Sequence, residues 1–234
     1  DYIYFSSNSS SLKHHFEESS KYLAKRFKLS KKSLVLEIAS NDGIFLKYFN
    51  NLGIGILGID PAKNIAKVAN KAGIKTIPEF FNLKLAKKLK KEGIMADVTY
   101  GANVLAHVPK IVDFVRGVSL VLKPQGTAIF EFPYLYGLFE GKFDIIYHEH
   151  VFYYSLIALL NLFDKANLEI YDVEFVKTQG GSLRIYLCHR NAFKVKKSVN
   201  RLLLKEKQLG FDKIETYGEI RDREKVMRGL KKMD

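Results

Sequence analysis

Apolar residues in this chain recur at two spacings, one helical and one extended. Leu12, Phe16, Leu23 and Phe27 follow one another at intervals of four, seven and four, so residues 11–27 read as an amphipathic helix. Short apolar runs then read as strands at 34–38, 55–59, 75–77, 96–100 and 127–132. Helix-length stretches separate them at 43–51, 62–72, a lysine-rich segment after Phe81, and 112–122. Pro61 is expected to open the helix over 62–72 at its first position, and Gly73 to end it. Pro124-Gln125-Gly126 reads as a turn into the strand over 127–132. Strands alternating with helices imply an α/β fold, a Rossmann-like, mostly parallel doubly wound sheet with helices on both faces. That unit, residues 1–133, is expected to end at Pro133.

Beyond Pro133 the pattern changes. An aromatic, glycine-dotted loop over 134–154 precedes a helix at 156–166 and two β-rich runs, 168–177 and 182–189, joined by the hairpin signal Gly180-Gly181. Residues 134–192 therefore read as a catalytic loop with a small β-rich C-terminal extension. Residues 193–234 read as a charged helical tail that opens a further domain.

Composition narrows the class. With 234 residues, 47% of them hydrophobic and 13% aromatic, the chain can bury one substantial core. There is no run of about eighteen apolar residues, and the N-terminus lacks the order of a secretory signal, so a cytoplasmic protein without a membrane partner is expected. Cys188 is the only cysteine, which excludes a disulfide framework and a cysteine-based zinc site. It is expected in a strand as a small hydrophobe. The net charge of +13 suggests an anionic partner, yet much of the excess is local. Lys84, Lys87, Lys88, Lys90 and Lys91 form one cluster, and Lys194, Lys196, Lys197, Arg201, Lys205 and Lys207 another. Both interleave leucines at helical spacing and lack aromatics, as solvated helix faces do, so nucleic acid is not an expected partner.

The first strand ends in Glu37-Ile38-Ala39-Ser40-Asn41-Asp42-Gly43, and the second closes with Asp60. A turn after the first strand brings backbone N–H groups to a ligand, and an acid closing the second strand accepts hydrogen bonds from ribose hydroxyls. The turn lacks the Gly-x-Gly-x-x-Gly that a pyrophosphate prefers; its polar, acidic character suits S-adenosylmethionine better than NAD. Asp42 and Gly43 are expected against the methionine part, Asp60 at the ribose, and Phe80 or Phe81 over the adenine, a core role for the Phe pair being the alternative. Asn103, past the fourth strand, is expected where cofactor and substrate meet. The expected cofactor set is Glu37, Ala39, Asn41, Asp42, Gly43, Asp60, Pro61, Phe80, Phe81 and Asn103. Tyr147-His148-Glu149-His150 forms a second cluster. It misses the His-Glu-x-x-His spacing of a metal site, and a general base suits it better, with plain loop residues as the alternative. No metal is expected.

Five motifs occur in order: Glu37 to Gly43, Asn103-Val104-Leu105-Ala106-His107-Val108, Glu131-Phe132-Pro133-Tyr134, Tyr147 to His150, and Gly180-Gly181-Ser182-Leu183-Arg184. Together, from Tyr2 to Tyr217, they resemble the S-adenosylmethionine-dependent C-methyltransferases that act on nucleotide-linked 4-keto deoxysugars, with a class I methyltransferase fold. The resemblance implies His150 as the base that removes a proton beside the C4 ketone, with Tyr147 and Glu149 in the same catalytic site. Substrate contacts are expected from His107, Glu131, Tyr134, His148, Gly181 and Arg184, although Arg184 suits a cross-strand ion pair equally well. It further implies a nucleotide-sugar substrate, a monomer or homodimer, and flanking domains: a cysteine-rich zinc-binding one before Tyr2 and a second Rossmann-like one at the C-terminus. Two rivals remain at this point: an O- or N-methyltransferase on another small molecule, and a non-catalytic basic binding module.

Overall fold

The expected apolar runs become β1 (Leu34–Ile38), β2 (Gly55–Ile59), β3 (Thr76–Ile77), β4 (Ala96–Ala102), β5 (Leu122–Pro133), β6 (Leu168–Val176) and β7 (Ser182–His189) in a computed structural model. It describes residues 3–141, 146, 149–176 and 181–222. All seven strands join one sheet in the order β3-β2-β1-β4-β5-β7-β6. β1 to β5 pair in parallel, while β7 runs antiparallel between β5 and β6. The two β-rich runs after Pro133 thus extend the same sheet. The connection between them, which includes Gly180, lies outside the described residues apart from Gly181.

Successive strand residues feed opposite faces, because side chains alternate along a strand. Leu36, Ile38, Phe130 and Phe132 pack on one side with Leu85 and Leu89 of α4 (Leu83–Lys91), Phe114 of α5 (Ile111–Val121) and Phe163 of the helix Leu156–Asp164. Val35, Val98, Tyr100 and Tyr186 pack on the other with Phe16 and Leu23 of α1 (Ser10–Arg26) and Phe45 and Phe49 of α2 (Ile44–Asn51). The lysines of α4 stand on the face away from its buried Leu85, Ala86 and Leu89, as an amphipathic helix requires. Cys188 is buried in β7. No helix among the described residues is long and apolar enough to cross a membrane.

Two local expectations are corrected. Pro61 does not occupy the first helical position: α3 (Lys63–Lys71) is capped by Ala62, and Pro61 lies one residue further out. The turn at Pro124-Gln125-Gly126 lies within β5, not ahead of it. Leu122 pairs with Ala96 and Thr127 with Val98, so the residues between Leu122 and Thr127 bulge while the strand continues on both sides.

α1 is set on the sheet by a polar stripe. His15, Ser19, Tyr22 and Arg26 lie about one turn apart and meet a row of side chains that crosses β5, β7 and β6. Ser19 accepts from Arg184 Nη2 at 2.7 Å, Tyr22 donates to Glu174 Oε1 at 2.7 Å, and Arg26 pairs with Asp172 and Glu174. In the sheet Arg184 is the register partner of both Glu131 and Glu174. Helix spacing and strand pairing therefore match residue for residue.

Gly43 is the residue on which α2 starts. Its φ is +77°, and a Cβ there would lie 2.6 Å from Ile74 Cγ2. Gly43→Ala is expected to destabilise the fold by about 2 kcal/mol, from the left-handed backbone together with the clash; urea unfolding of the two proteins measures it.

Candidate active site

The order of strands reverses at β1, whose neighbours are β2 on one side and β4 on the other, and a cavity of about 820 Å³ opens at the carboxyl ends of these strands. β1 ends in a loop folded by three left-handed residues, Ala39 (φ 59°), Asn41 (φ 49°) and Gly43 (φ 77°). Asn41 is its hub. Its N–H donates to Asp60 Oδ2 at 2.8 Å, its Oδ1 accepts from Ser6 and Asp42 N–H at 2.9 Å each, and its Nδ2 donates to the Tyr4 carbonyl at 3.1 Å. One residue thus ties the first loop to the end of β2 through its backbone N–H and to the N-terminal segment through its side chain.

This end of the cavity is acidic. Asp60 closes β2 and also accepts from Ala62 N–H at 2.9 Å. Burial raises its pKa against the help of those two N–H groups. Glu37 is buried, and its Oε2 has no hydrogen-bond partner among the described residues. Burial, then the charges of Asp60 and Asp42, push its pKa well above the ordinary glutamate value. Buried carboxylates facing a cavity with an unsatisfied oxygen suit a cationic ligand with hydroxyl groups. A sulfonium nucleoside with an amino-acid tail has both.

The other end carries imidazoles. A short 3₁₀ turn after β4, Leu105–His107, presents His107 to the cavity, and Val151 N–H donates to the Ala106 carbonyl at 2.8 Å. That bond brings the loop of Glu149 and His150 alongside. His150 is buried with its ring edge-on to His107, centroids 4.9 Å apart, and to Tyr153 at 5.8 Å. Burial, then His150, lowers the His107 pKa, so His107 is neutral at pH 7. Glu131 lines the wall beyond. Its Oε1 accepts from Tyr100 Oη and Arg184 Nε, each at 2.7 Å, and its Oε2 lies 2.9 Å from His15 Nε2. Burial works against the Glu131 carboxylate, but the His15 bond and the Arg184 charge hold its pKa below the ordinary value.

Of the expected site residues, Glu37, Ala39, Asn41, Asp60, Pro61, Phe80, Phe81, Asn103, His107, Glu131 and Glu149 line this one cavity. Phe80 is 75% exposed at the cavity, whereas Phe81 is nearly buried against Phe114, centroids 5.4 Å apart, so the Phe pair divides between rim and core. Six others do not line it. Asp42 turns its Oδ2 to the Ser7 N–H at 3.1 Å, and Gly43 packs on Ile74. Tyr134 donates to buried Glu206 at 2.7 Å. Arg184 is buried in the cross-strand ion pair with Glu131, the alternative its position allowed. Gly181 precedes the lining residue Ser182, and His150 stands behind His107. Tyr147 and His148 lie outside the described residues. His15 is a wall residue that the sequence did not mark; its only signal was the polar spacing along α1.

Residues 12–173 match the family described as a methyltransferase domain. The chain belongs to that family. Residues 177–231 of this methyltransferase-family chain match the C-methyltransferase C-terminal domain. The chain is 34% identical to C-methyltransferase NovU of Streptomyces niveus over 221 residues, which cover 94% of this chain and 53% of NovU. It therefore spans about half the length of that relative. A crystal structure from Pyrococcus horikoshii superposes with TM-score 0.60 at 18% identity, covering 80% of this chain and 95% of the other. Magnesium protoporphyrin IX methyltransferase from Synechocystis, with bound SAH, superposes with TM-score 0.57 at 11% identity, covering 75% and 82%. Both share the fold.

A raised carboxyl pKa means that the fold resists ionisation of Glu37. Its contribution is fully present below the unfolded-state value of about 4.3 and is lost as pH rises through the folded value. Glu37→Gln in the ligand-free protein should therefore melt higher than wild type at pH 7, with the gap closing below about pH 4. Thermal melts across pH measure it, and a gap independent of pH would contradict the assignment.

Proposed function

We propose that this chain binds S-adenosylmethionine and transfers its methyl group to the carbon beside the ketone of a nucleotide-linked 4-keto deoxysugar. The observation that carries the reading is one cavity with two desolvated carboxylates, Glu37 and Asp60, at the ends of β1 and β2, and an imidazole-lined wall beyond β4. The likeness to a C-methyltransferase in sequence, and the match of residues 177–231 to a domain of that description, support carbon as the acceptor atom.

When bound, S-adenosylmethionine supplies an electrophilic methyl group. Asp60 accepts hydrogen bonds from its ribose hydroxyls, Glu37 balances its positive charge, and Phe80 covers its base. On the acceptor side a ketone at C4 acidifies the C3 hydrogen. His150 takes that proton, and the electron pair left on carbon forms the new C–C bond as the sulfur–methyl bond breaks. Tyr147 donates to the oxygen on which charge develops, and Glu149 holds the sugar or orients the imidazole. His107, packed edge-on against His150 at 4.9 Å between ring centroids, holds that ring in place.

Two outcomes test this. Calorimetric titration should show micromolar S-adenosylmethionine binding that Asp60→Ala weakens by tenfold or more, since hydrogen bonds to a charged group contribute about 1.5–3 kcal/mol. His150→Ala should abolish methyl transfer to dTDP-4-keto-6-deoxyglucose while cofactor affinity stays within about twofold of wild type. Turnover retained in that variant would remove His150 as the base.

A further inference from the structure

Glu131 stands at the cavity wall but is already paired with Arg184 behind it. Both Nε and Nη2 of Arg184 lie 2.7 Å from Glu131 Oε1, the remaining contact of Nη2 is Ser19, and the side chain is almost wholly buried. Glu131 has Tyr100 Oη on the same oxygen. Arg184 is thus turned to protein partners. What this network offers to the cavity is His15, which lines it and is 17% exposed.

The tautomer of His15 follows from its partner. Glu131 is held in its ionised form, and a carboxylate accepts but cannot donate. His15 Nε2, 2.9 Å from Oε2, must therefore carry the proton. Nδ1 is then the nitrogen left for a ligand, accepting a hydrogen bond if the ring is neutral and donating one if it is charged, and the Nε2–Glu131 contact is the one hydrogen bond of this ring among the described residues. The ring is also pre-positioned. The Ser19–Arg184, Tyr22–Glu174 and Arg26–Asp172 contacts fix α1 along the sheet, and Phe16 anchors the next position in the core.

We propose that His15 is a substrate-specificity residue: its Nδ1 hydrogen-bonds a hydroxyl of the acceptor, a group that can both donate and accept, while Glu131 holds Nε2 and so orients the ring. The ligand chemistry is that of a polyhydroxylated ring, and the inference rests on the function proposed above. It gives Glu131 and Arg184 a supporting role, in which they orient the imidazole and touch no substrate.

The test uses His15→Phe and His15→Gln in the full chain, with dTDP-4-keto-6-deoxyglucose as acceptor. Loss of one neutral hydrogen bond to substrate should raise KM for the acceptor about tenfold in both variants, with S-adenosylmethionine affinity by calorimetry unchanged and kcat within about twofold. The glutamine variant separates contact from support: its amide N–H can still serve Glu131, while its carbonyl oxygen does not occupy the Nδ1 position. Recovery of wild-type KM in His15→Gln, or an unchanged KM in a folded His15→Phe that binds cofactor, would overturn the inference and leave the proposed function standing. A wild-type chain that binds no cofactor would instead overturn the functional reading, and this inference with it.

Discussion

The buried carboxylate of Glu131 is the point at which sheet, helix and cavity are joined. It sits on β5, pairs across the sheet with Arg184 of β7, takes the hydroxyl of Tyr100 on β4 and reaches His15 on α1. Removing a charged group from water is unfavourable unless its oxygens are fully hydrogen-bonded and an opposite charge is near. Here those conditions are met by partners from three other elements at once, so each must be in place for the ion pair to be tolerated. The same arrangement explains why α1 belongs to the catalytic unit although it precedes the first strand. It closes the open face of β5 and β7 and delivers a ring to the cavity wall.

Charge is distributed in the opposite sense at the two scales. The chain as a whole carries +13, with lysines of α4 standing in solvent. The cofactor end of the cavity instead gathers Glu37, Asp60 and, just behind them, Asp42. Desolvation and mutual repulsion make that cluster uncomfortable without a ligand, as the raised pKa values of Glu37 and Asp60 record. A cation placed there would relieve the repulsion that the fold imposes on these carboxyl groups. The buried field, and not the net charge, decides what binds.

Much of the fold was legible because parallel strands buried on both faces are near-continuous apolar runs, and β1 and β2 are of that kind. The polar first loop, Asp60, Asn103 and the aromatic-histidine segment were legible as chemistry because such residues need a reason at the ends of apolar strands. What escaped depended on contacts distant in sequence. Arg184 reads equally as an anion receptor or a pairing partner until β7 is known to lie beside β5. Asp42 looks like a ligand until the Ser7 amide is found against it. Tyr134 belongs to a family-like motif, yet its hydroxyl is taken by Glu206 from a helix about seventy residues further along. His15 is one of two adjacent histidines on a helix otherwise polar at that point, and only the register of α1 on the sheet distinguishes it from His14. The bulge in β5 escaped because Pro124-Gln125-Gly126 carries turn chemistry, which a bulge uses as readily as a strand boundary does.

The position of β7 between β5 and β6 has a consequence for assembly. β6 precedes β7 in the chain but touches the sheet only through it. Every strand from β1 to β5 can be laid against a neighbour already made, whereas β6 must wait, either alone or as half of a hairpin, until residues 182–189 arrive. The outer edge of β5, with Glu131 on it, stays open for the same interval. The β6–β7 pair thus completes the sheet as one unit, and with it Arg184 meets its carboxylate, α1 its polar row, and the cavity its last wall.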